Sequence, residues 1–191
     1  MFKIATLAGV AAVAVAGIGI LAAGSAKAAV TVYGSGFAEQ CFHVARDGGD
    51  LYAGINDCNQ ALIEDQLQGR DLAGTYVNRG VLRMAVNQYD AARADFEQSI
   101  KIDPSLGEAW VNLGALKIAN HQFAAGIADI DKGLALGPQE PEKAYYNRAL
   151  ADEAMDNETA AYYDYTKASQ LKPTWEPPRD ELTRFTVRPA S

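Results

Sequence analysis

Few side chains in this sequence have the type and spacing of a catalytic site. His43 and His121 are the only histidines, and neither stands at a spacing typical of a metal site or a catalytic triad. Acidic pairs such as Asp129 and Asp131 are expected on helix surfaces, where carboxylates are more often solvated than used as acid and base. The sequence has no phosphate-binding loop or nucleophile elbow. We therefore expect no enzyme and no bound metal or cofactor.

Three asparagines form a more promising set. Asn78, Asn112 and Asn147 follow one another at intervals of 34 and 35 residues. A side-chain amide both donates and accepts hydrogen bonds, so it can satisfy the main chain of another segment without reading its sequence. The spacing predicts that each asparagine occupies the same place in a repeated structural unit.

The unit is recognisable from the residues around each asparagine. An aromatic residue precedes it by two positions, and a small residue follows it by two positions, at Gly80, Gly114 and Ala149. The second half of each unit contains a large residue and then a proline, namely Phe96 and Pro104, Ile130 and Pro138, and Tyr165 and Pro173. Proline ends a helix because it lacks an amide hydrogen and clashes with the preceding turn. Each unit is therefore predicted to be two helices joined by a turn.

This helix-turn-helix unit resembles the tetratricopeptide repeat (TPR). The resemblance implies an all-α fold, an α-solenoid of TPR helix-turn-helix repeats with a C-terminal capping helix. The three repeats are assigned to 73–106, 107–140 and 141–175. An N-terminal arm and a diverged helical pair are expected in 29–72, and the capping helix and a C-terminal arm in 176–191.

The repeat frame also implies a pairing of the two cysteines. Extended back into the diverged pair, it places Cys41 beside the close-contact position of the first helix and Cys58 in the aromatic position of the second. These positions face each other in the family, so the resemblance implies a Cys41–Cys58 disulfide. The alternative is a reactive or metal-binding thiol pair, which lacks support because the chain has no CxxC spacing and no paired histidines.

In TPR proteins the first helices line a concave groove, where an asparagine at this position often bonds the backbone of an extended peptide. The resemblance implies that Asn78, Asn112 and Asn147 form such a ladder. Eight further residues are expected to line the groove: Val77, Val81, Met84, Val111, Ala115, Ile118, Tyr146 and Leu150. One alternative is that the asparagines only cap or bridge helices as part of the repeat consensus. Another is that the protein's own arm, its cap or a second copy already fills the groove.

Some residues depart from the family pattern. TPR proteins that grip a C-terminal carboxylate use basic residues beside the asparagines, and the matching positions here hold Gly74, Glu108 and Lys143. That clamp is therefore expected to be absent. Arg79 and Arg148 replace the usual leucine. Gly126 and Gly133 weaken the second helix of the middle repeat, which is expected to be looser.

The N-terminal residues have the pattern of a secretory signal. Lys3 precedes an apolar run over 4–23, after which Ala26 and Ala28 form the small-x-small pattern that a signal peptidase accepts. We therefore expect export, with 1–28 removed and the bacterial periplasm as the location. The alternative is an uncleaved anchor, because about 20 apolar residues can span a bilayer.

The charge of the chain narrows the class of partner. It carries 17 basic and 24 acidic residues, and loss of Lys3 and Lys27 with the signal would change the net charge from −7 to −9. Nucleic acid is not an expected partner, since its binding needs a positive surface. The acidity suits a soluble surface or a basic partner. The sequence thus predicts a non-enzymatic scaffold or adaptor for a protein or peptide, without membrane insertion once the signal is removed. The alternative is a self-associating structural protein, a homo-oligomer.

Overall fold

The structure of the chain, a computed structural model, describes residues 2–6, 26–32 and 36–189. Within these residues, nine helices and two short strands follow one another. The helices are α1 (Phe37–Asp47), α2 (Leu51–Glu64), α3 (Gly69–Ala85), α4 (Tyr89–Ile102), α5 (Gly107–Ala119), α6 (Phe123–Ala135), α7 (Pro141–Ala154), α8 (Glu158–Leu171) and α9 (Pro177–Leu182). The strands are β1 (Phe2–Thr6) and β2 (Phe185–Pro189).

The helices pack as consecutive pairs along a solenoid. α1 packs on α2, α3 on α4, α5 on α6 and α7 on α8, and each pair packs on the next one. α3, α5 and α7 also contact one another, so the first helices of the three repeats form a continuous layer. Asn78, Asn112 and Asn147 lie on these three helices.

A small residue in the first helix lets the two helices of a repeat approach closely. In the first repeat a Cβ atom on Gly80 would overlap the ring of Phe96, which is fully buried. Phe96 of α4 therefore packs directly on the backbone of α3. This contact explains why the repeat needs a residue without a side chain at this place.

The middle repeat is packed through glycines on both helices. A Cβ atom on Gly114 would lie 2.7 Å from the carbonyl oxygen of Gly126, and one on Gly133 would lie 2.8 Å from that of Gly107. These glycines lie where the backbones of α5 and α6 meet, so both positions have a packing reason to be glycine. Their low helix propensity is offset by close packing.

A disulfide joins the two helices that precede the first repeat. Cys41 of α1 and Cys58 of α2 are bonded, with their Cα atoms 4.9 Å apart. Both are buried in one cluster with Leu82 of α3. The disulfide that the repeat frame implies is therefore present, and it lies in the contact of the helical pair with the first repeat.

The two arginines that replace leucine tie helices together. Arg79 donates to both carboxylate oxygens of the buried Asp95 in α4, and its Nη1 donates to Asn59 of α2 at 2.8 Å. Arg148 binds Asp164 of α8 in the same way and also pairs with Asp131 of α6. Each arginine thus links its own repeat to the preceding helical pair.

The C-terminal residues cover the last repeat. The Trp175 ring packs on Tyr146 with centroids 5.1 Å apart, and Phe185 packs on Tyr165. The capping helix α9 ends at Leu182, and Phe185 opens β2. β2 pairs antiparallel with β1, which belongs to the expected signal segment.

Among the described residues, no helix combines the length and the hydropathy needed to cross a bilayer. The apolar run over 4–23 lies mostly outside the described residues, as does Tyr33 of the expected N-terminal arm.

Candidate functional site

The layer formed by α3, α5 and α7 is covered by a segment of the chain itself. Residues 26–32, here called the groove segment, have no regular secondary structure and run along the three helices. Ala28 and Val30 are completely buried there. The predicted groove is therefore occupied by residues that lie at the junction of the expected signal and the expected arm.

The three asparagines bind the main chain of the groove segment at every second residue. In each case the side-chain Oδ1 accepts from the amide of one residue, and Nδ2 donates to the carbonyl oxygen of that same residue. The pairs are Asn78 with Val30 (2.8 and 2.9 Å), Asn112 with Ala28 (3.2 and 2.8 Å) and Asn147 with Ala26 (3.2 and 3.0 Å). We call each pair a rung.

The ladder has a direction and a step. Val30 lies at the first repeat and Ala26 at the third, so the groove segment runs opposite to the order of the repeats. Each repeat corresponds to two residues of the segment, which matches the two-residue period of an extended chain. The bonded residues are alanine, alanine and valine, so the groove takes small side chains at the three rungs.

Burial explains why these amides need a partner. Asn78 and Asn112 are completely buried and Asn147 nearly so. Nδ2 of Asn112 also donates to the carbonyl oxygen of Glu108 at 2.9 Å, which holds the amide in the orientation that faces Ala28. A buried polar group without a partner costs about 1–3 kcal/mol, so the ladder favours an occupied groove.

The residues at the positions of the absent carboxylate clamp also contact the groove segment. A Cβ atom on Gly74 would lie 2.8 Å from Cγ1 of Val30. Lys143 donates from Nζ to the carbonyl oxygen of Lys27 at 2.6 Å and pairs with Glu140. Burial lowers the pKa of Lys27 itself.

The third clamp position, Glu108, places a buried carboxylate under the groove segment. Its Oε1 accepts from the amide of Gln139 at 2.9 Å, and the side chain of Gln139 accepts from Thr31. Among the described residues, Oε2 has no hydrogen-bond partner, and it pairs with Arg70 at 3.9 Å. A negative charge therefore lies where a carboxylate clamp has positive ones.

Three of the eight apolar residues expected in the groove lie on the asparagine face. Val81, Ala115 and Leu150 each follow an asparagine by three residues, which is nearly one helical turn. Val81 shares a core cluster with Val30, and Leu150 packs against the cluster that contains Ala26.

Val111, Ile118 and Tyr146 also pack between helices. Val111 and Ile118 face α6, where they contact the backbone at Gly133 and Gly126. Tyr146 packs between Tyr165 and Trp175, and it shares a core cluster with Ala26 of the groove segment. The assignment of these three residues to the groove stays a prediction.

Val77 and Met84 occupy the equivalent positions in the first repeat, and the core cluster that contains them also contains Val30 of the groove segment. At about 100° per residue, positions one before and six after an asparagine are turned about 100–120° away from it. Such positions face the second helix of the repeat.

The end of the solenoid is closed by a polar cluster beside the third repeat. Arg184 binds both carboxylate oxygens of Glu153 at 2.6 and 2.9 Å and also pairs with Glu181. Burial, together with the nearby Glu181, raises the pKa of Tyr146 to about 12. These contacts tie the C-terminal residues to α7, so the cluster serves the cap.

The alternative in which the protein's own arm fills the groove describes residues 29–32, whereas residues 26–28 are assigned to the removable signal. Every residue of 26–32 except Lys27 is small or β-branched, which suits an extended segment in a narrow groove.

Comparison with known proteins supports the repeat assignment. Residues 73–106 match the model of the tetratricopeptide repeat. The first TPR domain of Spaghetti (RPAP3), solved with the HSP90 peptide SRMEEVD, has a TM-score of 0.55 and 22% identity over 61% of this chain and 91% of that one. MamA has a TM-score of 0.58 and 20% identity, covering 79% of this chain and 82% of its own.

PilW, a type IV pilus biogenesis factor, has a TM-score of 0.60 and 15% identity, covering 76% of this chain and 66% of its own. No curated protein sequence matches the chain. The predicted all-α solenoid is confirmed.

Proposed function

We propose that the chain is a tetratricopeptide-repeat interaction scaffold whose concave groove binds an extended segment of a partner protein. The observation that carries this proposal is the ladder. Asn78, Asn112 and Asn147 each bond the amide and the carbonyl of one residue in an extended segment. The groove therefore has the geometry to hold a main chain.

The chemistry of the ladder suits binding and not catalysis. An amide keeps the same donors and acceptors across the physiological pH range, so it binds a main chain without exchanging protons. The six bonds read only the backbone, and the walls restrict the side chains at the rungs to small ones. The partner is therefore a segment with small residues at the rung positions, and the burial of Ala29 favours a small residue between the first and second rungs as well.

The charge of the groove argues against a C-terminal carboxylate as the bound group. The RPAP3 domain is solved with the HSP90 peptide SRMEEVD, which ends in such a group. Here Glu108 is buried at a clamp position, and its carboxylate would repel another one. An internal or N-terminal segment fits this groove better.

We place the protein in the bacterial cell envelope, where it serves as an adaptor. The predicted signal over 1–28 supports this placement, and so does the Cys41–Cys58 disulfide, since disulfides persist in oxidising compartments. A solenoid of similar fold, PilW, is a type IV pilus biogenesis factor.

A second candidate function follows from the occupied groove. If the groove segment never leaves, the ladder is part of the fold and the protein has a structural role. The complete burial of Ala28 and Val30 favours this alternative. In the first candidate function the binding of a partner depends on the three asparagines, and in the second it does not.

The test is co-purification from the envelope fraction of the native host. The protein would be compared with a ladder variant, Asn78→Ala/Asn112→Ala/Asn147→Ala, and with a matched control, Asn56→Ala/Asn120→Ala, whose asparagines are exposed. Circular dichroism would show that all three forms stay helical. We expect specific partners with the native and control forms and their loss with the ladder variant.

Equal recovery of the same proteins by all three forms would assign binding to another surface. If the three forms recover only themselves, the structural alternative is supported.

A further inference from the structure

Two residues of the groove segment have two roles. Ala26 and Ala28 form the small-x-small pattern of the predicted cleavage site, and they also occupy the third and second rungs. Val30, at the first rung, lies beyond that site. Cleavage after Ala28 therefore divides the groove segment within the ladder.

We propose that hydrolysis of the Ala28–Ala29 peptide bond, before this segment folds into the groove, leaves the second and third rungs free for a partner while Val30 occupies the first rung. This inference rests on the proposed peptide-binding role of the groove. In the step, a signal peptidase adds one water across the bond. The carbonyl carbon of Ala28 becomes a carboxylate, the nitrogen of Ala29 becomes an ammonium group, and residues 1–28 leave.

The contacts at the two ends of the groove differ in a way that supports this division. Four of the six ladder bonds belong to Ala26 and Ala28 and are absent from the cleaved protein, as is the bond from Lys143 to Lys27. The side-chain amides of Asn112 and Asn147 then lack the main-chain partner that they hold in the intact chain. A segment with small residues two positions apart would satisfy both.

The remaining arm keeps its own attachments. Val30 retains both bonds to Asn78, Thr31 retains its bond to Gln139, and Val32 stays buried. The new ammonium group of Ala29 arises between the residues bound by Asn112 and Asn78, in the part of the groove that holds Glu108.

The burial of Ala26 and Ala28 also determines whether cleavage or folding of the groove segment comes first. Ala26 is 7% exposed and Ala28 is fully buried, so the bond after Ala28 is shielded once the groove segment is in place. Cleavage must therefore precede the folding of this segment into the groove. A chain that escapes cleavage folds with all three rungs occupied and is closed to partners.

The test compares two forms produced through export with the native N-terminal residues. One is the native chain, whose purified N-terminus is expected at Ala29. The other is the full chain with Ala29→Pro, because a proline after the scissile bond blocks this class of peptidase. The substitution removes none of the ladder bonds, which use the amides of residues 26, 28 and 30, and proline is compatible with an extended segment.

The probe is a fluorescent peptide amide with the sequence of residues 24–28, Gly-Ser-Ala-Lys-Ala, which spans only the second and third rungs, and its control is the peptide of reversed sequence. Both protein forms are measured in the same detergent by fluorescence anisotropy. We expect the cleaved form to bind the probe at least about tenfold more tightly than the Ala29→Pro form, because a tethered segment competes at an effective concentration of about 1 mM. The reversed peptide should bind more weakly, and Asn112→Ala/Asn147→Ala should abolish binding to the cleaved form.

The outcomes separate this inference from the function on which it rests. Equal binding by both forms, lost in the asparagine variant, keeps the peptide groove and overturns control by cleavage. Binding by neither form, or binding that survives the asparagine variant, overturns the peptide groove itself. An N-terminus still at Met1 in the purified native chain overturns the cleavage step.

Discussion

Gly74 of α3 and Val30 of the groove segment are packed against each other so closely that no side chain fits between them. A Cβ atom on Gly74 would lie 2.8 Å from Cγ1 of Val30 and 3.2 Å from Cγ2 of Val32. The first rung therefore depends on a residue that forms no bond of the ladder. The groove segment can approach Asn78 because residue 74 has no side chain.

Replacing Gly74 with alanine should release the groove segment without damaging the solenoid. The added methyl group displaces Val30, whereas the helix itself gains about 0.5–1 kcal/mol from the change. We expect faster hydrogen exchange in a peptide spanning 26–32, with an unchanged or higher Tm by circular dichroism.

The matched control for this prediction is Gly80→Ala on the same helix. Its methyl group would overlap the ring of Phe96 in the core, so it should lower the free energy of unfolding by about 1–3 kcal/mol. If Gly74→Ala lowers Tm as much as Gly80→Ala does, Gly74 is a core position and the distinction is wrong.

Removing the disulfide should loosen the helical pair that precedes the repeats. The bonded cysteines are 17 residues apart, and closing a loop of this size contributes about 3 kcal/mol in the chain-entropy model. We expect Cys41→Ser/Cys58→Ser to lower the free energy of unfolding by about that amount in urea. Hydrogen exchange should rise mainly in α1 and α2, because only Leu82 of α3 belongs to the buried part of their cluster.

The oxidised native protein with and without reductant is the control for this experiment. If the serine variant and the reduced native protein differ, the serine side chains and not the missing bond are responsible. A uniform rise in exchange over α3 to α8 would show that the solenoid unfolds as one unit.

The pH dependence of stability should contain a contribution from Asp152. Burial raises the pKa of its carboxyl above the usual range, and the nearby Asp164 and Asp131 raise it further, while Asn157 and Arg148 oppose the shift. The folded protein thus binds the proton of the Asp152 carboxyl more tightly than the unfolded chain does. Above the folded-state pKa the carboxyl is charged, and this charge lowers the free energy of unfolding. The cost disappears as the pH falls below the ordinary pKa of aspartate.

Asp152→Asn should therefore raise Tm at neutral pH and leave it nearly unchanged at about pH 3. The amide still accepts the bond from Asn157, which Asp152 accepts at 3.3 Å in the native protein. Thermal unfolding at both pH values checks this. An equal change at both would mean that packing, and not charge, causes it.

Much of the architecture was predictable from the sequence because the repeat is encoded locally. The asparagines, the small residues and the prolines recur at nearly the same interval, and each has a local physical reason to be there. The disulfide followed from the same frame. Helical periodicity also limits what a sequence pattern can assign, since Val111 and Asn112 are adjacent and yet face different neighbours.

What the sequence by itself determined is therefore the all-α repeat, its register and the row of asparagines, because these depend on spacing along one chain. Only the tertiary structure decided what the asparagines hold. Ala26 and Asn147 are 121 residues apart in sequence, and no local pattern near either one indicates the other. The burial of their polar groups favours this pairing, and burial exists only once the helices have assembled.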